Sequence, residues 1–207
     1  MGNELEQSVP YISVEDMRRT FTDIGYDQVA CYVENDPDPI DCYVFSVPFT
    51  FDALYGVGHV FPDLIYSTVT TLWVDDIPAF KEEFFIRIAR CFPHLKFLWV
   101  HNPKSVLQHF YHFESDDNQS HSMIEYPHLL KLGIKDVDLY LVEQFLDESR
   151  IYLPRLIELT IKYENLLSVT ENFTRDLTRS ACRRVKRLIL DEELVPPANF
   201  SDYFPLL

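Results

Sequence analysis

A phrase recurs along the chain: Phe92-Pro93-His94-Leu95-Lys96-Phe97-Leu98-Trp99-Val100, then Tyr126-Pro127-His128-Leu129-Leu130-Lys131-Leu132-Gly133-Ile134, then Leu153-Pro154-Arg155-Leu156-Ile157-Glu158-Leu159-Thr160-Ile161. Each copy is an apolar residue, a proline, and then apolar residues at the spacing L-x-x-L-x-h. Degenerate copies stand at Val69, Leu72 and Val74 and at Val185, Leu188 and Leu190. The prolines mark turns, and each phrase reads as a strand that begins at its leading apolar residue, over residues 69–74, 95–100, 129–134, 156–161 and 185–190. A unit this short cannot bury its own apolar face. Its repetition therefore predicts a solenoid, in which each unit stacks on its neighbours.

The leading positions Val69, Leu95, Leu129, Leu156 and Val185 are 26, 34, 27 and 29 residues apart. All but the second spacing lie in the range of leucine-rich repeats, and a polar insertion over residues 114–120 accounts for the long one. Helix signals sit between the strands. Phe84, Phe85, Ile88 and Phe92 form one apolar stripe, and Leu141, Val142, Phe145 and Leu146 form another behind an N-cap at Asp138. Ser168-Val169-Thr170-Glu171 reads as a capping box that opens a helix with Val169, Phe173, Leu177 and Ala181 on one face. Strand, helix, strand at this spacing implies parallel neighbours. The expected fold is α/β: a short, irregular leucine-rich-repeat-like solenoid with parallel strands on one face and helices on the other.

Upstream the pattern is weaker. Residues 1–12 read as a flexible N-terminus and residues 13–207 as a single domain, with weak repeats over 13–68 and clearer ones over 69–207. A capping box at Ser13-Val14-Glu15-Asp16 starts a helix ending near Ile24-Gly25. Strands follow over 29–33 and 42–47, and residues 51–60 read as a helix.

With 47% hydrophobic and 14% aromatic residues the chain has the composition of a folded protein. Its 18 Lys and Arg against 33 Asp and Glu give a net charge of −15, which repels phosphate backbones and argues against nucleic acid as a partner. Cys31, Cys42, Cys91 and Cys182 lack disulfide or zinc spacing and read as reduced thiols. With no signal pattern at the N-terminus and no membrane span, the expected compartment is cytoplasmic or nuclear.

Taken together, these phrases resemble the leucine-rich-repeat region of F-box proteins, and more closely an expanded invertebrate group of F-box and leucine-rich-repeat-like proteins. The likeness is carried by Glu83-Phe84-Phe85-Ile86-Arg87-Ile88-Ala89-Arg90, Tyr126-Pro127-His128-Leu129, Val142-Glu143-Gln144-Phe145-Leu146, Asn172-Phe173-Thr174-Arg175-Asp176 and Val185-Lys186-Arg187-Leu188-Ile189. It covers about residues 13–207. The resemblance implies a substrate-recognition part of a cullin-type ubiquitin ligase adaptor. Two features depart from it. Residues 1–60 hold no Leu-Pro opening of an F-box, so the chain reads as a truncated or an F-box-free relative. The asparagine positions of the repeat are taken by Pro103, Val137 and Glu164, with Asn102 and Asn165 one residue away.

Strand alternation assigns the partner-facing residues. With Leu98 and Val100 inward, Phe97 and Trp99 point to the open sheet surface, and so do Trp73 and Asp75, Lys131 and Lys135, Glu158 and Lys162, and Arg187. Both tryptophans of the chain take one position of neighbouring strands, the placement of an interface hot spot. The other reading covers them internally, by a terminal helix or by residues 104–124. The partner expected is a protein; no cofactor, metal or membrane enters. Chemistry has weaker candidates. His109, His112, Asp116, Asp117 and His121 could furnish a hydrolase site on the 104–124 loop, but lack the H-x-x-x-H spacing of zinc enzymes. Pairs such as Asp75-Asp76 and Glu82-Glu83 face opposite ways or solvent and do not converge. The basic run Arg183-Arg184-Val185-Lys186-Arg187 reads as the answer to a helix C-terminus and nearby acids.

Overall fold

The structure, a computed structural model, describes residues 13–25, 28–34, 41–75, 80–102, 123–192, 196–197 and 199–207, with the side chains of residues 33, 34 and 41 left aside. The chain divides into two compact units, Met1–Phe49 and Thr50–Leu207.

In the first unit, helix α1 (Val14–Asp23) is opened by Ser13, whose hydroxyl accepts the Asp16 N–H at 3.0 Å. Ser13 also donates to the Asp16 carboxylate at 2.6 Å, the hydrogen bond that holds this carboxyl below its usual range. Strands β1 (Val29–Glu34) and β2 (Asp41–Ser46) pair antiparallel, and Tyr32 stacks on Tyr43 at 4.5 Å. The segment that read as a weak repeat thus contains a hairpin.

The second unit is α/β. Its open six-stranded sheet runs in the order β10-β9-β7-β5-β4-β3, all neighbours parallel. The strands are β3 (Ala53–Val57), β4 (Thr71–Asp75), β5 (Phe97–His101), β7 (Lys131–Lys135), β9 (Glu158–Ile161) and β10 (Arg187–Leu190). Helices α2 (Glu82–Cys91), α3 (Leu139–Leu146), α4 (Tyr163–Val169) and α5 (Asp176–Cys182) lie between strands in sequence, and α6 (Phe200–Tyr203) follows β10. A small parallel pair, β6 (Ile124–Glu125) and β8 (Ile151–Tyr152), lies beside them.

The repeated phrase is realised as a turn followed by a strand. The N–H groups of Val69, Leu95, Leu129, Leu156 and Val185 each donate to the carbonyl three residues earlier, closing a tight turn. In three of these turns proline occupies the first corner, where its fixed φ costs nothing. Just downstream, two consecutive N–H groups converge on one carbonyl of the preceding unit. Lys96 and Phe97 donate to Thr70, Leu130 and Lys131 to Lys96, Ile157 and Glu158 to Leu130, and Lys186 and Arg187 to Ile157, at 2.8–3.0 Å. The strands begin two residues later than the apolar phrase does, because the first apolar residue of each phrase closes the turn.

These bonds put Leu72, Leu98, Leu132, Leu159 and Leu188 in one register row. The first four are buried. Leu188 is half-exposed because β10 is an edge strand with a neighbour on one side only. Helix α2 buries Phe84, Phe85, Ile88 and Cys91, and Phe85 meets Phe145 of α3 edge-on at 4.9 Å. Asp138 caps α3 as expected, its carboxylate accepting the Leu141 N–H at 2.8 Å. Burial pushes the Cys91 thiol up to about 11, and all four cysteines are free.

Two local expectations are corrected. Residues 51–60 contain strand β3, Ala53–Val57, rather than a helix, extending the sheet on the β4 side; Gly56, at φ +66°, accompanies the register shift between Leu54 and Val57. The capping box at Ser168 does not open a helix. Ser168 donates back to the Glu164 carbonyl within α4, and the chain leaves that helix through Glu171, Asn172 and Phe173, all at positive φ. Buried Thr170 holds this reversal, donating to the Leu166 carbonyl at 2.7 Å and accepting the Phe173 N–H at 3.1 Å. Helix α5 then starts at Asp176, which leaves Leu177 54% exposed.

Leu132→Ala should lower stability by about 2–5 kcal/mol, through lost burial plus a cavity. The loss should spread to β5 and β9, the strands paired with β7 on either side. Denaturant unfolding would show the shifted midpoint, and hydrogen exchange would show β5 and β9 amides losing protection together with those of β7. An unchanged midpoint would refute the core assignment of Leu132.

Candidate functional site

The sheet face opposite the buried leucines carries three rows of side chains that run across the strands. In the first, Phe97, Lys131, Glu158 and Arg187 are register neighbours. The Lys131 ammonium lies 5.2 Å above the Phe97 ring and 3.3 Å from Glu158, and Arg187 reaches the same carboxylate oxygen at 3.3 Å. One anion thus serves two cations.

The second row is apolar. Trp73, Trp99, Gly133, Thr160 and Ile189 are in register, and Tyr55 of β3 adjoins Trp73. The Trp73 and Trp99 rings lie 5.1 Å apart at 44°, and Tyr55 and Trp73 lie 6.2 Å apart at 48°. Tyr55 is 59% and Trp73 40% exposed, while Trp99 is half-buried because its indole lies across Gly133. A Cβ on residue 133 would collide with the six-membered ring of Trp99, so glycine is what lets the indole lie flat. Around these residues the face forms a shallow depression of about 230 Å³, lined by Tyr55, Trp73, Phe97, Trp99, Gly133 and Thr160.

The third row lies at the strand ends. Asp75, His101 and Lys135 are in register. His101 stands between two carboxylates, with Nδ1 3.1 Å from Asp75 and Nε2 3.5 Å from Asp136. Lys162, the residue after β9, pairs with Asp136. The hydrogen bond from Lys162 holds the Asp136 carboxyl below the usual range, and the same bond raises the Lys162 ammonium.

The residues assigned to this face from strand alternation, Trp73, Asp75, Phe97, Trp99, Lys131, Lys135, Glu158, Lys162 and Arg187, lie on these rows. The C-terminal helix does not cover the tryptophans. It packs Phe200 and Tyr203 against Phe173, at 5.3 and 5.5 Å, and Tyr203 hydrogen-bonds Thr178. Residues 103–122, which contain His109, His112, Asp116, Asp117 and His121, lie outside the described residues. Among the described residues, no group of three His, Cys, Asp or Glu is placed to hold a metal ion, and no helix is long and apolar enough to cross a membrane. In the basic run, Arg183 caps α5, Arg184 pairs with Glu148, and Arg187 answers Glu158.

Sequence reasoning missed Tyr55, Gly133, His101 and Asp136. The first was hidden by reading its segment as helix. Gly133 left a usable signal, since a glycine in the strand position held by tryptophan in two other copies points to a close approach. Asp136 sits at φ +52°, a turn conformation that aspartate and asparagine tolerate.

Compared with protein-family models, with curated proteins and with solved structures, the chain matches none.

Gly133→Ala should displace the Trp99 indole while leaving the backbone conformation permitted. Near-ultraviolet circular dichroism should lose part of the coupled Trp73–Trp99 signal, with tryptophan emission shifted to the red. An unaltered spectrum would show that the indole does not lie on residue 133. The Asp136–Lys162 pair yields a pH test. A depressed folded pKa means stability present above the ordinary carboxylate value of about 3.9 and lost as pH falls through the lower folded value. Asp136→Asn should therefore unfold at lower denaturant than the parent chain at pH 7, and the gap should close as pH falls below about 4. A gap independent of pH would assign the effect to something other than this carboxylate.

Proposed function

We propose that the chain is a protein-binding module, a short irregular leucine-rich-repeat-like solenoid that receives a partner segment on the open face of its parallel sheet. The observation that carries this reading is the row Tyr55, Trp73 and Trp99, three adjoining aromatic rings on an accessible face, with charged rows on either side. Large aromatics desolvate much area at low entropic cost, and a polar rim fixes register and association rate. Support for the solenoid reading comes from the repeated entry turn, each copy donating two N–H groups to the unit before it.

Trp73 and Trp99 are the apolar anchors in this reading. Phe97 and Lys131 flank them on one side, and Asp75, Lys135 and Lys162 on the other. By resemblance, the setting is substrate recognition for a cullin-type ubiquitin ligase, in the cytoplasm or nucleus. The chain is then a recognition part rather than an enzyme.

Affinity purification with mass spectrometry, run in parallel on the parent chain and on Trp99→Ala, tests both levels. An adaptor and a cullin among the co-purifying proteins would support the ligase setting, and their absence would count against it. For an isolated partner, Trp99→Ala should weaken binding by about 2 kcal/mol or more, roughly thirtyfold, with the fold retained, while Lys131→Ala should do much less. Equal affinity in the Trp99 variant would move the binding surface elsewhere.

A further inference from the structure

Basic side chains on the second unit cluster at the entries of β5, β7, β9 and β10. The entry segments of the five strands from β4 to β10, residues 68–71, 94–97, 128–131, 155–158 and 184–187, hold Lys96, Lys131, Arg155, Arg184, Lys186 and Arg187, six of the 18 Lys and Arg in the chain; Arg184 is paired with Glu148, and the β3 entry carries exposed Asp52. Of the 33 Asp and Glu these five segments hold Glu158 alone. His94 and His128 belong to the same edge, at equivalent turn positions with rings 5.7 Å apart. Lys96, Arg155, Lys186 and Arg187 are exposed. The exit ends are mixed: Asp75, Asp136, Glu164 and Asp191 stand there beside Lys135 and Lys162, and Asp136 is paired with Lys162.

We infer that the segment received by the sheet is acidic and crosses the strands along their entry edge, its carboxylates facing this basic strip and one large apolar side chain resting on Trp73 and Trp99. The inference rests on the reading of the sheet face as a binding surface, and names the partner's chemistry. Three observations carry it. The strip is a concentrated cationic feature on a chain whose net charge is −15. Screening at physiological salt acts over about 8 Å, so an approaching carboxylate responds to this strip before the distant acidic surface. Glu158 already shows the mode, one carboxylate shared by Lys131 and Arg187 at 3.3 Å each.

The size of the strip sets the length of the segment. The four basic entries, those of β5, β7, β9 and β10, span three strand spacings, about 14 Å at about 4.8 Å each. Reaching Trp73 on β4 adds a fourth, so an extended peptide covers strip and anchor in about six residues. Alternate side chains of such an extended segment share the face turned to the sheet, so acidic ones can meet the strip while one near the β4 end offers the apolar anchor to the depression. A duplex or long single-stranded nucleic acid fits less well. Its phosphates continue past the strip onto acidic surface, and the repulsion there grows with length.

The test pans a displayed library of random short peptides against the full chain, then measures one enriched peptide by fluorescence anisotropy. Enriched sequences should pair an aromatic or leucine with two or more Asp or Glu, and affinity should fall steeply from about 0.05 to about 0.5 M NaCl. The double reversal Arg155→Glu with Lys186→Glu should weaken binding at least about tenfold, while Lys81→Glu, before α2, should change nothing. Glu158→Gln, which frees Lys131 and Arg187, should tighten binding about threefold; this serves as the deciding variant if the reversal disturbs folding, as read by circular dichroism. Apolar, salt-indifferent peptides that still depend on Trp73 would overturn the acidic partner and leave the binding face standing. Acidic peptides indifferent to the strip variants would overturn it too, as would tighter competition by a single-stranded RNA of similar length. Peptides indifferent to Trp73→Ala would overturn the binding face itself, and an unenriched library would count against both.

Discussion

The second unit depends on one backbone device, the entry turn that presents two consecutive N–H groups to a single carbonyl of the unit before it. A turn leaves donors that would cost free energy if buried without partners. Here each turn's donors are satisfied by its neighbour, so closing a turn and placing a strand are the same event. The device also fixes register. A one-residue slip would turn every buried leucine of the row to the open face, and the loss of apolar burial at each strand would oppose it.

Register has a second consequence, on the other face. The alternation that buries Leu72, Leu98, Leu132 and Leu159 turns Trp73, Trp99, Gly133 and Thr160 to the opposite side, where no described strand or helix of this unit packs over the tryptophans. The rings cover one another and Gly133 in part, which lowers the cost of keeping them there while leaving area to desolvate. Charged residues on both sides keep the apolar patch narrow. The face is thus compatible with a folded chain alone and with a partner.

Legibility followed the period of each element. The five strands from β4 to β10 were readable because proline, turn and leucine spacing all point to the same unit, and α2 and α3 were readable from their apolar stripes. Strand β3 was not, since Phe51, Leu54, Tyr55 and Val57 fit either period over so short a run. The α4–α5 break was misread because Ser168 and Glu171 match a helix start, whereas buried Thr170 and three residues in the left-handed region end one helix and delay the next. Local pattern cannot rank those alternatives. The packing of Phe173 against Phe200, Tyr203 and Phe204 can.

The sequence by itself determined which side chains are buried along β4, β5, β7 and β9 and that both tryptophans share one repeat position, because burial and alternation are properties of each strand alone. It also determined the net charge of −15. Only the tertiary structure decided that Tyr55 joins the tryptophans, that Gly133 makes room for Trp99, that Asp136 meets both His101 and Lys162, and that basic residues from separate turns gather on one edge. The reason is physical. Each of these pairings joins residues from different strands or turns, and parallel stacking at a fixed register, rather than any local preference, sets the distance between them.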